Sequence, residues 1–262
     1  MGNALTQRKR IGTMKPLQIP QIIGHRGAAG YAPENTLEAI HTAADLGVEW
    51  VELDVKLTKD HVPIIFHDDT LDRTTNGYGP VAEILYEDLK QLEAGSWFSE
   101  GFSGIHIPTL EEALEVLIDR NMGLNLEIKP CAGRARETAE VVLDLLSTIW
   151  DDHARLIISS FEAVCLETAL DMAPDWHRGF LLPEEWPDEW QKLAEYLEVS
   201  THHVNGNTAT QEQIEMLADL EKPVLAYTIN DPDRARFLLR WGVDGFFSDT
   251  PDVIKDAVFR VH

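Results

Sequence analysis

Cysteine is scarce in this sequence: Cys131 and Cys165 are the two cysteines among 262 residues. Two are too few for a disulfide framework or a four-cysteine zinc site, and they fit a reducing compartment. Basic residues are also few, since 22 Lys and Arg face 45 Asp and Glu, which gives a formal net charge of −23. Because phosphate backbones are held by clustered Lys and Arg, this charge argues against nucleic acid as a partner.

Long apolar runs are absent as well. No stretch approaches 18 consecutive apolar residues, so the sequence predicts no transmembrane span and no stable membrane association. The composition, 44% hydrophobic and 26% charged, is nevertheless that of a globular protein with a sizeable core and not of a disordered acidic chain.

The start of the chain carries several basic residues that could be mistaken for a signal peptide. The apolar stretch that should follow is interrupted by Gln18, Pro20 and Gln21. We therefore predict that residues 1–19 are a poorly ordered leader and that the protein is cytoplasmic.

Short apolar runs alternate with amphipathic segments along the rest of the chain, residues 20–262. Eight strand-helix units in about 250 residues favour a single (β/α)8 TIM barrel domain over a doubly wound open sheet. An open sheet would normally show a Gly-rich phosphate turn, and Gly27 and Gly30 do not match that pattern. The predicted strands are Gln21–Gly24, Trp50–Lys56, Leu124–Lys129, Arg155–Ser159, Arg178–Leu182, Leu197–Thr201, Pro223–Thr228 and Gly245–Ser248.

The clearest helix is predicted from residue 110 onward. Thr109 would cap it, with Glu112 at the capping-box position. Its apolar residues recur at helical spacing, namely Leu110, Ala113, Leu114, Leu117 and Ile118.

One stretch breaks the alternation. About 40 residues between His67 and Pro108 are too many for an ordinary connection. They predict a small subdomain, about residues 68–108, inserted after the second strand, where barrel enzymes build their sites. The alternative is a surface excursion with no role beyond its own packing.

Acidic residues alternate with apolar ones in two of the predicted strands. Glu52 and Asp54 share one face of the second strand, and Glu127 lies on the matching face of the third. Burying like charges together is costly unless a cation lies between them, so the pattern predicts a site for a hard divalent cation, Mg²⁺ or Ca²⁺. A solvated strand face bearing charges is the alternative.

Two histidines follow apolar strands. His25 and His67 would lie at the carboxyl ends of their strands, beside Arg26, a bidentate donor suited to phosphate, and Lys129. An acid-base pair, a cation site and two basic residues form a coherent set for phosphoryl chemistry.

Six motifs occur in order along the chain, namely His25-Arg26-Gly27, Pro33-Glu34-Asn35-Thr36, Glu52-Leu53-Asp54, His67-Asp68, Glu127-Ile128-Lys129 and Gly245-Phe246-Phe247-Ser248-Asp249-Thr250-Pro251. With these motifs the sequence resembles the glycerophosphodiester phosphodiesterases. The similarity extends from about residue 21 to 255 and is closest to short cytoplasmic bacterial members.

The resemblance implies a (β/α)8 barrel that hydrolyses glycerophosphodiesters, such as glycerophosphocholine or glycerophosphoethanolamine, to sn-glycerol 3-phosphate and an alcohol. By matched position, one divalent metal would be held by Glu52, Asp54 and Glu127, and His25 and His67 would be the general acid and base. Substrate would contact Arg26, Lys129, Phe161 and Tyr227, although many members have Trp in place of Tyr227.

Other interpretations stay open at this stage. The same fold could cleave lysophospholipids at the headgroup side, or the chain could be a catalytically silent module that binds phosphate compounds. The adjacent His202 and His203 could be taken for a zinc pair, but neighbouring strand residues point to opposite faces. The nucleophile, water or the substrate's own 2-hydroxyl, and the oligomeric state, monomer or homodimer, are not determined by the sequence.

Overall fold

The computed structural model describes residues 15–259, and in this part of the chain eight parallel strands form a closed barrel. The first parallel strand pairs with both the second and the last, which closes the ring and confirms the predicted (β/α)8 barrel. The strands are β1 Ile22–Gly24, β2 Trp50–Leu57, β3 Pro63–Ile65, β4 Gly123–Ile128, β5 Leu156–Ser160, β6 His177–Leu181, β7 Thr201–Asn205, β8 Val224–Tyr227 and β9 Gly245–Ser248, of which β3 alone is antiparallel.

Helices cover the outside of the barrel, and most follow a parallel strand. The α-helices of residues 15–259 are α1 Leu37–Asp45, α2 Tyr86–Leu89, α3 Leu110–Asp119, α4 Ala135–Ile149, α5 Ala163–Met172, α6 Trp190–Tyr196, α7 Gln211–Ala218, α8 Pro232–Trp241 and α9 Pro251–Val258. Short 3₁₀ turns lie at Val81–Glu83, Glu100–Phe102 and His153–Arg155.

Helix α3 begins as its sequence predicts. Thr109 accepts a hydrogen bond from the backbone N–H of Glu112, and the Glu112 carboxylate accepts one from the backbone N–H of Thr109. Its apolar stripe is buried except for Ile118, which is about half exposed. Reciprocal capping of this kind satisfies two backbone donors that the helix leaves unpaired.

The predicted strand Leu197–Thr201 is wrong by about one strand length, because the structure places β7 at Thr201–Asn205. Leu197 is instead the residue that caps the C-terminus of α6, and Val199 is buried in the connection that follows. The true strand was missed because its inner face carries polar residues and its sequence does not form an apolar run.

A hairpin that the sequence did not predict returns the chain to the site. Strand β3 runs antiparallel to β2, with Val55 opposite Ile65. The backbone N–H of Phe66 then donates to the carbonyl of Asp54 at 2.9 Å. This return brings the following residue, His67, level with the acidic residues of β2.

The segment after this hairpin, predicted as an insertion at about 68–108, packs around an apolar cluster of its own. It contains α2 and two of the 3₁₀ turns. The buried members of the cluster are Ile64, Phe66, Leu71, Val81, Leu89, Ala94, Ile107 and Cys131. The exact boundaries of the insertion and of the barrel domain stay predictions.

Most of the predicted leader lies outside the described residues, but residues 15–19 contact the barrel. His177 Nε2 lies 2.8 Å from the carbonyl oxygen of Lys15, and the backbone N–H of Gln18 donates to the carbonyl of Ala154. Cys131 and Cys165 are buried free thiols, and the cytoplasmic location stays a prediction. Among residues 15–259, no helix combines the length and the apolar character needed to cross a bilayer.

Candidate active site

A cleft of about 220 Å³ opens at the carboxyl ends of the barrel strands. Barrel enzymes carry their sites at this end. The cleft is lined by all nine residues that the sequence singled out, namely His25, Arg26, Glu52, Asp54, His67, Glu127, Lys129, Phe161 and Tyr227.

Three carboxylates meet at the wall formed by β2 and β4. The register of these strands places Asp54 directly opposite Glu127, and Glu52 opposite Asn125. One oxygen from each of Glu52, Asp54 and Glu127 lies within 4.8 Å of the others. The three carboxylates predicted from the period-two alternation to point inward therefore lie together at one point of the cleft.

The pKa values of this cluster show the cost of crowding negative charge in a buried place. Burial, with the nearby charges of Asp54 and Glu127, raises the pKa of Glu52 well above its usual range. Burial likewise raises the pKa of Glu127 to about 7, and Asp54 adds to the shift. For Asp54, burial is outweighed by Arg26, His67 and Lys129, which hold its pKa below the usual value.

The cluster has the donor set of a hard divalent cation. Glu52 Oε1 is buried and has no hydrogen-bond partner. Asn35 Nδ2 donates to Asp54 Oδ2 at 2.8 Å, and the Arg26 backbone N–H donates to Glu52 Oε2 at 2.9 Å, so both carboxylates are held in place. A 2+ ion among three carboxylate oxygens would satisfy the unpaired oxygen and remove the mutual repulsion.

The turn after β1 presents His25 to the cleft. A side chain at Gly24 would collide with the carbonyl oxygen of Gly27, 2.1 Å away, and Gly27 itself has a φ of +87°. These glycines allow the sharp turn that His25 and Arg26 occupy. His25 Nε2 then lies 3.9 Å from Glu52 Oε2.

Asp249, the residue after β9, holds the other side of the His25 ring. His25 Nδ1 and Asp249 Oδ1 are 2.7 Å apart. Asn230 Nδ2 donates to Asp249 Oδ2 at 2.6 Å, and Asn230 Oδ1 accepts from the Asp249 backbone N–H at 2.8 Å. Asn230 therefore holds the carboxylate that contacts the histidine.

His67 has its own carboxylate partner, the next residue in the chain. His67 Nδ1 lies 2.6 Å from Asp68 Oδ1. The fully buried Lys56 ammonium donates to the carbonyls of His67 and Asp68 at 2.9 and 2.7 Å, and to Asp69 Oδ1 at 2.9 Å. Burial lowers the pKa of His67, so the ring favours its neutral form.

Arg26 and Lys129 supply positive charge beside the carboxylates. Arg26 Nη1 donates to Glu34 Oε1 at 2.6 Å, and its Nε lies 3.4 Å from Asp54 Oδ2. Lys129 Nζ donates to Glu127 Oε1 at 3.2 Å.

Phe161 and Tyr227 form an aromatic side of the cleft. Their rings meet edge to face with centroids 6.0 Å apart, and Lys129 Nζ lies 5.7 Å from the Phe161 centroid. Tyr227 donates its hydroxyl to the carbonyl of Leu182 at 2.9 Å, and burial raises its pKa.

Strand β7 places His202 and His203 on opposite faces, in keeping with the alternation argument against a zinc pair. The His202 ring packs against Trp190 outside the barrel, and the His203 ring packs against Phe247 on the cleft side. Burial lowers the pKa of His202 to about 4 and that of His203 to about 3.

Sequence reasoning assigned no role to several residues that support the site. Glu34, Asp68 and Asp249 stood inside the family motifs, so their contacts with Arg26, His67 and His25 could have been sought. Lys56, on the inner face of β2, follows the same alternation as Glu52 and Asp54. Arg73 contacts Glu34 and Asp68, and its place in the inserted segment is the one feature of the sequence that could have drawn attention to it.

Comparisons with known proteins show the family of the chain. The model of the glycerophosphoryl diester phosphodiesterase family matches residues 25–253. A glycerophosphodiester phosphodiesterase of Caldanaerobacter subterraneus is 33% identical over 237 residues, which cover 90% of this chain and 97% of that protein. One from Bacillus subtilis is 31% identical over 88% of this chain and 84% of its own length.

Solved structures of the same family share the fold of this chain. A phosphodiesterase of Oleispira antarctica, in complex with the product sn-glycerol 3-phosphate, shares 40% identity and superposes with a TM-score of 0.88 over 92% of this chain and 98% of that one. A glycerophosphodiester phosphodiesterase of Agrobacterium tumefaciens shares 29% identity, with a TM-score of 0.72 over 91% of this chain and 100% of that one. The chain therefore belongs to the glycerophosphoryl diester phosphodiesterase family and is a phosphoric diester hydrolase.

Proposed function

We propose that the protein hydrolyses soluble glycerophosphodiesters, such as glycerophosphocholine or glycerophosphoethanolamine, to sn-glycerol 3-phosphate and an alcohol. Catalysis depends on one divalent cation, Mg²⁺ or Ca²⁺, held by Glu52, Asp54 and Glu127. The observation that carries the proposal is the meeting of these three carboxylates within 4.8 Å, in the cleft that both His25 and His67 line.

In this proposal the two histidines divide the proton transfers. Asp249 and Asp68 each lie beside the Nδ1 atom of one ring, which orients that ring and leaves Nε2 as the nitrogen that takes part in the reaction. One histidine takes a proton from the nucleophile, and the other gives a proton to the leaving alkoxide. Each ring has a carboxylate partner of the same kind. This suits two groups that exchange the roles of general acid and general base when the reaction runs in reverse.

Charge recognition falls to the basic residues. Arg26 and Lys129 line the cleft beside Asp54 and Glu127 and would balance the negative phosphate. The cation, when bound, supplies Lewis-acid stabilisation of the charge that develops on phosphorus-bound oxygens. Phe161 and Tyr227 would pack against the carbon atoms of the substrate.

The product bound in the Oleispira antarctica relative, sn-glycerol 3-phosphate, supports the choice of substrate class. The cleft of about 220 Å³ suits a deacylated molecule of that size. A lysophospholipid would need additional apolar surface for its acyl chain.

A coupled assay separates the possible functions. Purified protein is incubated with Mg²⁺ or Ca²⁺ and glycerophosphocholine, and sn-glycerol 3-phosphate is detected enzymatically. Lysophosphatidylcholine is tested in parallel by choline release. We expect sn-glycerol 3-phosphate from the first substrate and little choline from the second.

Other outcomes of the assay are equally informative. Faster release of choline from lysophosphatidylcholine would indicate a lysophospholipase D-type activity. Binding of glycerophosphocholine without turnover under any metal condition would indicate a silent binding module, and either result would overturn the proposal.

A further inference from the structure

Arg73, in the inserted segment, contacts two carboxylates at the edge of the cleft. Its Nη1 and Nη2 donate to the two oxygens of Glu34, each at 2.7 Å. Its Nε and Nη2 donate to the two oxygens of Asp68, at 2.7 and 2.9 Å. All three guanidinium nitrogens are engaged, and each carboxylate is held at both oxygens, which is the strongest geometry for such pairs.

Each of these carboxylates also holds a residue of the proposed chemistry. Glu34 Oε1 accepts a hydrogen bond from Arg26 Nη1 at 2.6 Å. Asp68 Oδ1 lies 2.6 Å from His67 Nδ1. Arg73 is therefore the centre of a continuous series, Arg26 to Glu34 to Arg73 to Asp68 to His67.

The backbone that carries Arg73 is itself well anchored. Leu71 is buried in the apolar cluster of the insertion, and its backbone N–H donates to the carbonyl of Gly79 at 3.0 Å. Thr75 donates its hydroxyl to the carbonyl of Leu71 at 2.7 Å, and Thr74 is buried. The insertion thus presents the guanidinium from a fixed turn.

We propose that Arg73 is a positioning residue that sets the placement of Arg26 and His67 relative to each other. It does so by holding the two carboxylates that orient them, and this explains what the inserted segment contributes to the site. The inference rests on the proposed function, in which Arg26 binds phosphate and His67 transfers a proton.

An ordinary surface ion pair is the alternative explanation, since the Arg73 side chain is 45% exposed. Such pairs contribute little to stability, and on that explanation the removal of Arg73 would leave catalysis unchanged. The two explanations differ because Arg73 touches no atom that reacts, so an effect on turnover without an effect on folding has to act through Glu34 and Asp68.

The test compares Arg73→Met and Arg73→Lys with a matched control, Arg236→Met. Arg236 is a half-exposed arginine of α8 that pairs with Asp233, away from the cleft. Because a misplacement of about 1 Å can cost about 100-fold in rate, we expect kcat/KM to fall about 10- to 100-fold in Arg73→Met. Lysine cannot bind two carboxylates in a fork, so Arg73→Lys should restore little activity.

Double-mutant cycles measure the coupling between Arg73 and each carboxylate in kcat and KM, which a purely structural role of Arg73 would not produce. Glu34→Gln should raise KM more than it lowers kcat, and Asp68→Asn should do the reverse. Combining either change with Arg73→Met should cost clearly less than the sum of the single effects, because the partners act in one series. Additive losses, or wild-type kcat/KM in Arg73→Met, would overturn the inference.

Crystal structures of wild type and Arg73→Met give a readout that does not need activity. We expect the Arg26 guanidinium or the His67 ring to move from its wild-type position in the variant, while the barrel stays unchanged. Both side chains in unchanged positions would contradict the inference. If the wild type failed to hydrolyse glycerophosphodiesters, the proposed function would fail, and these structures would still decide the role of Arg73.

Discussion

His25 Nδ1 and Asp249 Oδ1 are 2.7 Å apart although the two residues are 224 positions apart in sequence. Their contact follows from the closure of the barrel, since β1 pairs with β9 and Gly24 lies opposite Ser248. His25 and Asp249, the residues that follow these two strands, are therefore neighbours. The last strand of the barrel thus orients a histidine that follows the first.

Replacing Asp249 with Asn should impair catalysis and not folding. The neutral amide is a weaker acceptor for a hydrogen bond from Nδ1–H, and its NH₂ group favours the wrong tautomer or orientation of His25. We expect kcat to fall by about 100-fold or more, with a small change in KM, as in other carboxylate-histidine pairs. Steady-state kinetics check this, with Asp233→Asn as the control because Asp233 is largely exposed and lies away from the cleft. A kcat within twofold of wild type would show that Asp249 does not orient the ring.

Lys56 should be needed for both stability and turnover. Its ammonium is fully buried and binds two backbone carbonyls and Asp69, so Lys56→Met leaves these acceptors without their donor. We expect the free energy of unfolding to drop by about 2–4 kcal/mol. Because the same contacts hold the backbone of His67, kcat should fall as well.

Urea unfolding and kinetics of Lys56→Met check both effects. Lys59→Met serves as the control, since Lys59 follows the same strand but is exposed. Loss of stability with full activity would show that Lys56 supports the insertion and not His67. Unchanged stability would contradict the burial argument altogether.

His202 should make the protein less stable in acid. Burial holds its pKa at about 4 in the folded state, against about 6.5 in an unfolded chain. Between about pH 6.5 and 4, His202 binds a proton in the unfolded chain but not in the folded protein. The free energy of unfolding therefore falls as the pH drops from about 6.5 toward 4. The loss amounts to up to about 3 kcal/mol, since each pKa unit corresponds to about 1.4 kcal/mol.

Unfolding by urea at pH 7, 5.5 and 4 measures this dependence. His202→Leu, which cannot be protonated, should lose less stability over this range than wild type. His41→Leu, at an exposed position of α1, should follow the wild-type curve. Parallel curves for wild type and His202→Leu would contradict the prediction.

The overall charge of −23 opposes the approach of an anionic substrate. Binding must then depend on local positive charge, supplied by Arg26, Lys129 and the cation that the carboxylates would hold. Removing the cation should therefore weaken the binding of sn-glycerol 3-phosphate, by about 10-fold or more. Isothermal titration with and without EDTA measures this, and equal affinities would contradict it.

The sequence was sufficient to predict the barrel and nine of the fourteen residues that line the cleft. Period-two alternation placed Glu52, Asp54 and Glu127 on inward faces because a strand alternates its side chains regardless of its surroundings. The motif His25-Arg26-Gly27 could be placed at a strand end because an apolar run precedes it.

Contacts between distant segments could not be predicted in the same way. An apolar run before His67 indicates a strand there, but nothing in its spacing shows that it folds back antiparallel to β2 and brings His67 level with Asp54. Strand β7 was placed wrongly because its inner face carries polar side chains. Arg73 reaches Glu34 across 39 positions, and no local spacing reports such a contact.

The central claim is that the carboxylates of β2 and β4 hold a divalent cation on which hydrolysis depends. The most direct test is glycerophosphocholine turnover by metal-stripped protein, before and after one equivalent of Mg²⁺ or Ca²⁺, in wild type and in Glu127→Gln. We predict that the metal-stripped wild type is inactive and recovers on addition of the cation, whereas Glu127→Gln remains at least about 100-fold slower. Full turnover in excess EDTA, or a wild-type rate in Glu127→Gln, would contradict the claim.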